Sequence, residues 1–292
     1  MKKFLSILLA VIIFAGCTSL AFAEDGGTIT GTLNVVSFNV DGLPIPSFLS
    51  STKRDPIKAT KLIAEQINAS DCDILSVQED FNLHSILQDN LDMDYATLTS
   101  GGVAVGDGLN FFSKKPIYNV GRIAWNSAYG VYDCGSDELT PKGILYCTVE
   151  IADGVFVDVY NIHADAWEDE KSMQAKSEQF DQLIELIEEH SGTDRAVILT
   201  GDFNVNYSVF RDGYKNGNYK IDLCQKLLDN FIGHGFKDAW IEYNNGGNYD
   251  FTYGEMYEKY GCTYPRTWDT LDHVFYRDGA GVSFELLEAV YD

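Results

Sequence analysis

Short apolar runs recur along the chain, separated by polar segments. This pattern predicts eight β-strands, at residues 32–40, 73–78, 109–113, 144–151, 155–163, 196–203, 271–277 and 282–290. Apolar residues at helical spacing predict helices at 55–70, 170–192 and 219–234. Asp55 and Pro56 give the first helix a start signal, and Gly192 closes the second. Helices placed among strands indicate a mixed α/β fold, with sheet inside and helices outside.

The N-terminal 23 residues have the pattern of an export signal. Lys2 and Lys3 precede an apolar run that ends at Gly16, and small residues flank Phe22 in the sequence Ala-Phe-Ala. The run is too short to span a membrane as a helix. Cleavage after Ala23 predicts a secreted protein with one domain at 24–292. The alternative cut lies at FAGC, where Cys17 would carry a lipid and tether the protein.

Without residues 1–23 the chain has 19 basic and 44 acidic residues, a formal net charge of −25. Such a charge argues against a broad surface that tracks nucleic-acid phosphates, although it leaves room for a metal-bridged site for one phosphate. Five cysteines remain, and this odd number leaves at least one outside any disulfide within the chain. Cys72 and Cys147 lie in apolar runs and are expected to be core thiols.

Five of the predicted strands end in carboxylate, amide or imidazole groups. These groups are Asn39 and Asp41, Gln78 and Glu79, His163 and Asp165, Asp202 and Asn204, and Asp272. Because successive side chains of a strand alternate faces, residues two apart point the same way wherever strand geometry continues. If neighbouring strands bring these ends together, they form a pocket suited to a hard divalent cation, which prefers oxygen ligands.

Each pair taken alone has a simpler explanation, because Asp and Asn at strand ends commonly cap turns. The pair Glu79-Asp80 could start a helix, and His163 could be a core histidine. Recurrence at five separate strands favours a site. The sequence also lacks GxGxxG, GxxxxGK[ST], HExxH, GxSxG and CxxC, so other common chemistries have no motif here.

Six segments occur in an order that resembles the endonuclease/exonuclease/phosphatase superfamily, which includes DNase I-like nucleases and secreted sphingomyelinases. They are SFNVDGLP, LSVQED, GDGLNFFSKKPI, YNIHADA, TGDFN and LDHVFY. The segment CGSDELTPKGILY followed by NIHADAWEDE is more similar to the bacterial sphingomyelinase branch. The resemblance implies a four-layered α/β sandwich, with two central mixed sheets flanked by helices, and Mg²⁺-dependent cleavage of a phosphoester. Mn²⁺ and Ca²⁺ are the alternative ions.

The resemblance also implies roles for individual residues. Glu79 matches the metal-binding glutamate, and Asn39 is expected beside the metal and the scissile phosphate. His163 matches the histidine that binds the phosphate and assists the leaving group. Asp272 is expected behind His163, where it would orient the imidazole and favour its charged form. Asp202 and Asn204 match the pair that positions the attacking water and the phosphate. Apart from the resemblance, Lys142 in the TPKG turn could place a cation near the phosphate, although a lysine before a glycine in a turn is usually just part of the turn. Asp165 is also expected to contact substrate.

One family feature is absent. Members normally end with a strand that opens on Ser-Asp-His, whereas this sequence ends at LLEAVYD and contains no Ser-Asp-His. His273 should face away from the pocket, since it follows Asp272 on a strand. The missing last strand should leave a sheet edge unpaired. Three explanations stay open: a fragment of a longer active enzyme, an altered arrangement for activating water, or a member that binds without cleaving.

The substrate is expected to be a lipid or nucleotide phosphodiester, and no stable nucleic-acid complex is expected. A net-neutral phosphocholine lipid would not be repelled by the acidic chain. The Tyr-rich segment at 248–269 could contact a membrane surface or could be a packed loop. The alternatives are a DNase I-like nuclease, a non-catalytic binding module, or a sugar or inositol phosphatase; the oligomeric state is not predicted.

Overall fold

The computed structural model describes residues 17–24, 29–42, 55–103, 105–130, 141–249, 270–279 and 281–290. These residues form two six-stranded sheets. The first sheet runs, in spatial order, through β12 (Val282–Val290), β1 (Cys17–Glu24), β2 (Thr30–Asn39), β3 (Ile74–Gln78), β5 (Asn110–Ser113) and β4 (Tyr95–Ala96). The second runs through β10 (Lys237–Asp238), β11 (Asp272–Arg277), β9 (Ala196–Asp202), β8 (Val155–His163), β7 (Gly143–Ala152) and β6 (Ile117–Ala124).

Both sheets are mixed, as the family resemblance implies. β2 pairs with β3 in parallel, β8 pairs with β9 in parallel, and the other strand pairs are antiparallel. All eight predicted strands are present. β1, β4, β6 and β10 were not predicted: β4 and β10 have two residues each, and β6 has no buried residue that would mark an apolar run.

Six α-helices occur within the described ranges: α1 (Pro56–Ala69), α2 (His84–Asn90), α3 (Glu170–His190), α4 (Tyr207–Lys215), α5 (Leu223–Asn230) and α6 (Ala239–Asn245). α1 and α3 confirm the predicted helices, and their starts are fixed by carboxylates. Asp55 accepts hydrogen bonds from the first-turn amides of α1, and Asp169 does the same for α3. The predicted helix at 219–234 is shorter, because Asp222 caps a later start and α5 ends at Asn230.

Three buried layers account for the sandwich. The middle layer packs the facing sides of the sheets against each other, for example Val35 and Phe111 against Val159 and Ile198. The other face of the second sheet packs on helices α3 to α6, and the other face of the first sheet packs on α1 and α2. The expected four-layered α/β sandwich is confirmed, and the candidate site residues lie where strands of both sheets end. Among the described helices, none has the length and apolar character needed to cross a membrane.

Strand β1 lies between β2 and β12 and pairs with both in antiparallel register. It includes residues 17–23, which the sequence analysis assigns to an export signal, and that assignment stays a prediction. The expectation that a missing last strand leaves a sheet edge unpaired stays a prediction. The described edges of the sheet are β12 and β4. Cys72 and Cys147 are buried, as predicted, whereas Cys134, Cys262 and nearly all of the Tyr-rich segment lie outside the described residues.

Candidate active site

The polar strand ends of the two sheets meet at one edge of the sandwich. In the first sheet, Asn39 stands opposite Gln78, directly before Glu79. In the second sheet, Asp202 stands between His163 on β8 and Asp272 on β11. The convergence that the sequence predicts is therefore present, and it joins both sheets.

Asn39 makes the direct connection between the sheets. Its Nδ2 donates to Glu79 Oε1 and to Asp202 Oδ2, each at 3.1 Å. Its Oδ1 accepts from the backbone amide of Asp41 at 3.0 Å, which fixes the orientation of the amide group. One uncharged side chain thus holds two carboxylates from different sheets. Asn39 and Glu79 are half-buried, so the group remains open to solvent on one side.

The backbone at this edge is held in an uncommon conformation. Asp41, Glu79, Trp167 and Asn204 have φ values of +42°, +57°, +67° and +52°. The left-handed region costs a non-glycine residue roughly 1–2 kcal/mol. Such strain persists only where surrounding contacts compensate for it, and it concentrates at functional sites. Hydrophobic periodicity gives no signal for this feature.

Gly201 in the TGDFN segment is required by the close packing of two strands and takes no part in the chemistry. Its φ is +144°, and a Cβ at this position would lie 2.2 Å from the carbonyl oxygen of Ile162 on β8. The absence of a side chain lets β9 approach β8 closely. Asp202 follows immediately, so this approach sets how near its carboxylate comes to His163.

Asp202 is buried and is the most highly connected acid of the site. Its Oδ1 accepts from the Asn204 amide at 3.0 Å, and its Oδ2 accepts from Asn39. Its Oδ2 also lies 3.6 Å from His163 Nε2. Burial raises the pKa of Asp202, while the hydrogen bond from Asn39 and the charge of Lys142 oppose that rise.

His163 is buried, and burial, with a smaller contribution from the charge of Lys142, holds its pKa well below the usual value. The imidazole is therefore neutral near pH 7, and its buried Nδ1 has no hydrogen-bond partner among the described residues.

The expectation that Asp272 stands behind His163 and favours its charged form is wrong. β9 lies between β8 and β11, so the two residues are two strand spacings apart, roughly 9–10 Å.

Asp272 lies instead on the far side of Asp202. Burial raises its pKa well above the usual value, and the charges of Asp202 and Glu79 raise it further. Its buried Oδ1 has no hydrogen-bond partner within the described part of the chain. The neighbouring His273 faces the opposite way, as predicted: its Nδ1 lies 2.7 Å from Asp238 Oδ2 and its Nε2 lies 2.8 Å from the Val205 carbonyl.

Lys142 supplies positive charge beside these acids. Its Nζ donates to the carbonyl oxygen of Ala164, the residue that follows His163, at 3.1 Å. Asn204 Nδ2 donates to the same oxygen, also at 3.1 Å. Burial raises the pKa values of both Glu79 and Asp202, and the charge of Lys142 opposes that rise at both carboxylates. This placement is compatible with the predicted contact to a substrate phosphate.

Asp165 does not reach the open side of the site, and the expected substrate contact is not supported. The residue is fully buried. Its Oδ2 accepts from the Tyr129 amide at 2.7 Å, and its Oδ1 accepts from Gln179 Nε2 at 2.7 Å. The alternation argument fails because β8 ends at His163, before Asp165. Asp165 instead anchors the loop that contains Tyr129 to helix α3.

The carboxylate oxygens of the candidate site are the kind of ligand that a hard divalent cation prefers. Glu79, Asp202 and Asp272 are three acids in mutual repulsion, burial raises the pKa of each, and Asp272 has an orphaned buried oxygen. A cation would relieve the repulsion and stabilise the ionised forms. Within the described ranges, however, no three acidic, histidine or cysteine side chains already converge as a metal site. Asn39 presents its amide nitrogen to the acids, so its oxygen would coordinate only after the amide turned over.

Comparisons with known proteins match most of the chain to one family. A profile of the endonuclease/exonuclease/phosphatase family matches residues 36–291. Sphingomyelinases of Mycobacterium tuberculosis and Mycobacterium bovis are 31% identical to the chain over 266 residues, which is 88% of this chain and 47% of each relative. The chain therefore spans about half the length of these curated relatives.

Two solved structures show a similar fold. Sphingomyelinase C from Streptomyces griseocarneus superposes with a TM-score of 0.55 at 21% identity, covering 85% of this chain and 84% of that chain. A double mutant of beta toxin from Staphylococcus aureus with bound magnesium ions gives a TM-score of 0.51 at 24% identity, covering 62% of this chain and 69% of that chain. At these identities the likeness shows the shared fold alone.

Proposed function

Because the chain belongs to the endonuclease/exonuclease/phosphatase family, we propose that it is a divalent-metal-dependent hydrolase that cleaves a phosphodiester to a phosphomonoester and an alcohol. One observation carries the proposal: Asn39 holds Glu79 and Asp202 together across the two sheets, with His163 3.6 Å from Asp202. The acid that would bind the metal, the acid that would activate water and the imidazole that would contact the substrate therefore lie at the same edge of the sandwich.

Glu79 would hold the cation, with Asn39 beside it. The bound ion would neutralise negative charge on the phosphate oxygens as they approach the transition state. We propose Mg²⁺ as the ion, with Mn²⁺ and Ca²⁺ as alternatives to be distinguished experimentally. The charge of Lys142 opposes the rise that burial causes in the pKa of Glu79, and its ammonium would bind a phosphate oxygen on the same side.

Asp202 would orient and deprotonate the attacking water. Its raised pKa brings it closer to the working pH, as a general base requires, and Asn204 orients its carboxylate through the backbone amide. The water oxygen bonds to phosphorus while the bond from phosphorus to the ester oxygen breaks. Neutral His163 would donate a hydrogen bond to the phosphate, and the leaving oxygen departs as the alcohol after taking a proton from water.

The substrate class we favour is the phosphodiester of a phospholipid with a neutral head group, sphingomyelin being the first to test. The mycobacterial relatives are named sphingomyelinases. The acidic composition of this chain, 44 Asp and Glu against 21 Lys and Arg, disfavours a long polyanion as substrate. We also propose that the protein is exported, by cleavage after Ala23 or with a lipid on Cys17, and that it meets its substrate at a membrane surface.

The experiment that tests this proposal measures hydrolysis of bis-p-nitrophenyl phosphate, sphingomyelin vesicles and DNA, with Mg²⁺ or with EDTA. His163→Ala should abolish turnover. His234→Ala is the matched control, because His234 is exposed and its carbonyl accepts from Arg277, at the opposite end of β11 from Asp272. Metal-dependent hydrolysis that His163→Ala removes and His234→Ala keeps would support the proposal. A folded protein that hydrolyses none of the three substrates would refute it and favour a binding role.

A further inference from the structure

Lys176 is a fully buried lysine in helix α3. It lies on the face that carries Met173 and Phe180, both part of the core between α3 and the second sheet. An ammonium group so far from water is costly unless charged or strongly polar partners replace its hydration.

The partners of Lys176 are two backbone carbonyl groups. Its Nζ donates to the Trp167 oxygen at 2.7 Å and to the Asn204 oxygen at 3.0 Å, and it lies 4.9 Å from the centre of the Phe210 ring. Trp167 and Asn204 are two of the non-glycine residues in left-handed backbone conformation. One ammonium therefore ties together two strained turns, the loop that follows His163 and the turn that follows Asp202.

Asn204 connects the turn held by Lys176 to the Asp202 carboxylate and to the loop that follows His163. Its amide donates to Asp202 Oδ1 at 3.0 Å, and its side chain donates to the Ala164 carbonyl at 3.1 Å. Ala164 follows His163 directly, and its own amide donates to the Asp202 carbonyl at 2.9 Å. The turn that Lys176 holds therefore sets the direction of the Asp202 carboxylate and its separation from the imidazole.

We propose that Lys176 is a positioning residue, which locks the turn after Asp202 to the loop after His163 and so holds Asp202 in its reactive orientation. The inference rests on the proposed function for its kinetic consequence and on the contacts above for its structural one. Burial lowers the pKa of Lys176 to about 8, while Glu168, Asp165 and Asp202 oppose the shift and Lys142 adds to it. The charged form that binds the carbonyls is thus lost as the pH rises through about 8.

The test is Lys176→Met, which keeps the length and volume of the side chain but removes the ammonium. Lys226→Met is the matched control, because Lys226 also contacts α3, through a 2.6 Å ion pair with the partly solvent-exposed carboxylate of Asp181. For Lys176→Met we expect kcat to fall at least about tenfold with KM changed less than about twofold, since the lost restraint acts on the reacting groups. Lys226→Met should keep both values.

Hydrogen exchange supplies a readout that does not need activity. Residues 203–206 and 165–168 should exchange faster in Lys176→Met and unchanged in Lys226→Met. Unchanged exchange and unchanged kcat in the Met variant would overturn the inference, even if the wild-type protein hydrolyses phosphodiesters. Faster exchange in a protein without hydrolysis would uphold the restraint while refuting the proposed function.

If Lys176→Met does not fold, the role of the ammonium can be tested by measuring hydrogen exchange of the wild-type protein at two pH values. Protection factors for residues 203–206, corrected for base catalysis, should decrease between pH 7 and pH 9.5, whereas those of β8 should not. Equal protection of residues 203–206 at both pH values would refute the role of the ammonium.

Discussion

Replacing Asn39 by Asp should destabilise the metal-free protein at pH 7 more than replacing it by Leu. Both variants lose the donor that lies 3.1 Å from Glu79 and from Asp202. Only the Asp variant adds a third carboxylate between those two. Unit charges about 4 Å apart repel by about 4 kcal/mol at an effective dielectric constant of 20, so the new group would be protonated rather than ionised in the folded state.

The magnitude follows from proton linkage. Keeping protonated a carboxyl group whose unfolded pKa is about 3.9 costs about 4 kcal/mol at pH 7 and about 1.5 kcal/mol at pH 5. A pKa that is raised by folding gives stability at low pH that is lost as the pH rises. The free energy of unfolding of Asn39→Asp should therefore fall by about 2 to 3 kcal/mol relative to Asn39→Leu between pH 5 and pH 7.

The assay is urea unfolding of both variants in EDTA at the two pH values, repeated with saturating Mg²⁺. The cation should restore Asn39→Asp more than Asn39→Leu, since it binds the added carboxylate in the folded state only. The reasoning would be refuted if the difference between the variants were the same at pH 5 and pH 7. It would also be refuted if Asn39→Asp were the more stable variant in EDTA at pH 7.

Three further predictions concern single residues. Asp272→Asn should stabilise the protein in EDTA at pH 7, because it removes a buried acid repelled by its neighbours, and should reduce the thermal shift on adding Mg²⁺; an unchanged shift in differential scanning fluorimetry would remove Asp272 from the cation environment. Gly201→Ala should destabilise by more than about 3 kcal/mol in chemical unfolding, because a Cβ meets β8 backbone at 2.2 Å. Gly154→Ala is its control, with φ +75° and open space around it, and should cost only about 1 kcal/mol. Cys147 should resist thiol reagents until global unfolding, because burial raises its pKa, and reaction at the rate of an exposed thiol would contradict this.

Much of the fold could be read from local patterns. The eight strands with clear apolar runs, the capped start of α1, the long helix α3, and the mixed α/β class are all present in the structure. The weak elements escaped detection for local reasons too: two-residue strands carry no periodicity, and β6 has no buried stripe. Helix α5 is shorter than predicted because Asp222 caps the chain later than the apolar spacing suggested.

Less of the candidate site than of the fold could be predicted from the sequence. The types of residue at the strand ends and their order along the chain were sufficient to indicate where polar chemistry would concentrate. They did not determine which group meets which: Asp202, not Asp272, lies beside His163, because β9 is inserted between β8 and β11. Asp165 turns inward because β8 ends before it, and Lys176 enters the site's supporting contacts from a helix.

The sequence by itself determined the elements, the polar ends of the strands and the acidic character of the chain, because periodicity, capping and charge are properties of neighbouring residues. Only the tertiary structure decided the bridge from Asn39 to acids of both sheets, the neutral state of His163 and the strained turns held by Lys176. Those features depend on strand order and burial, which arise when segments far apart in the chain pack together and exclude water.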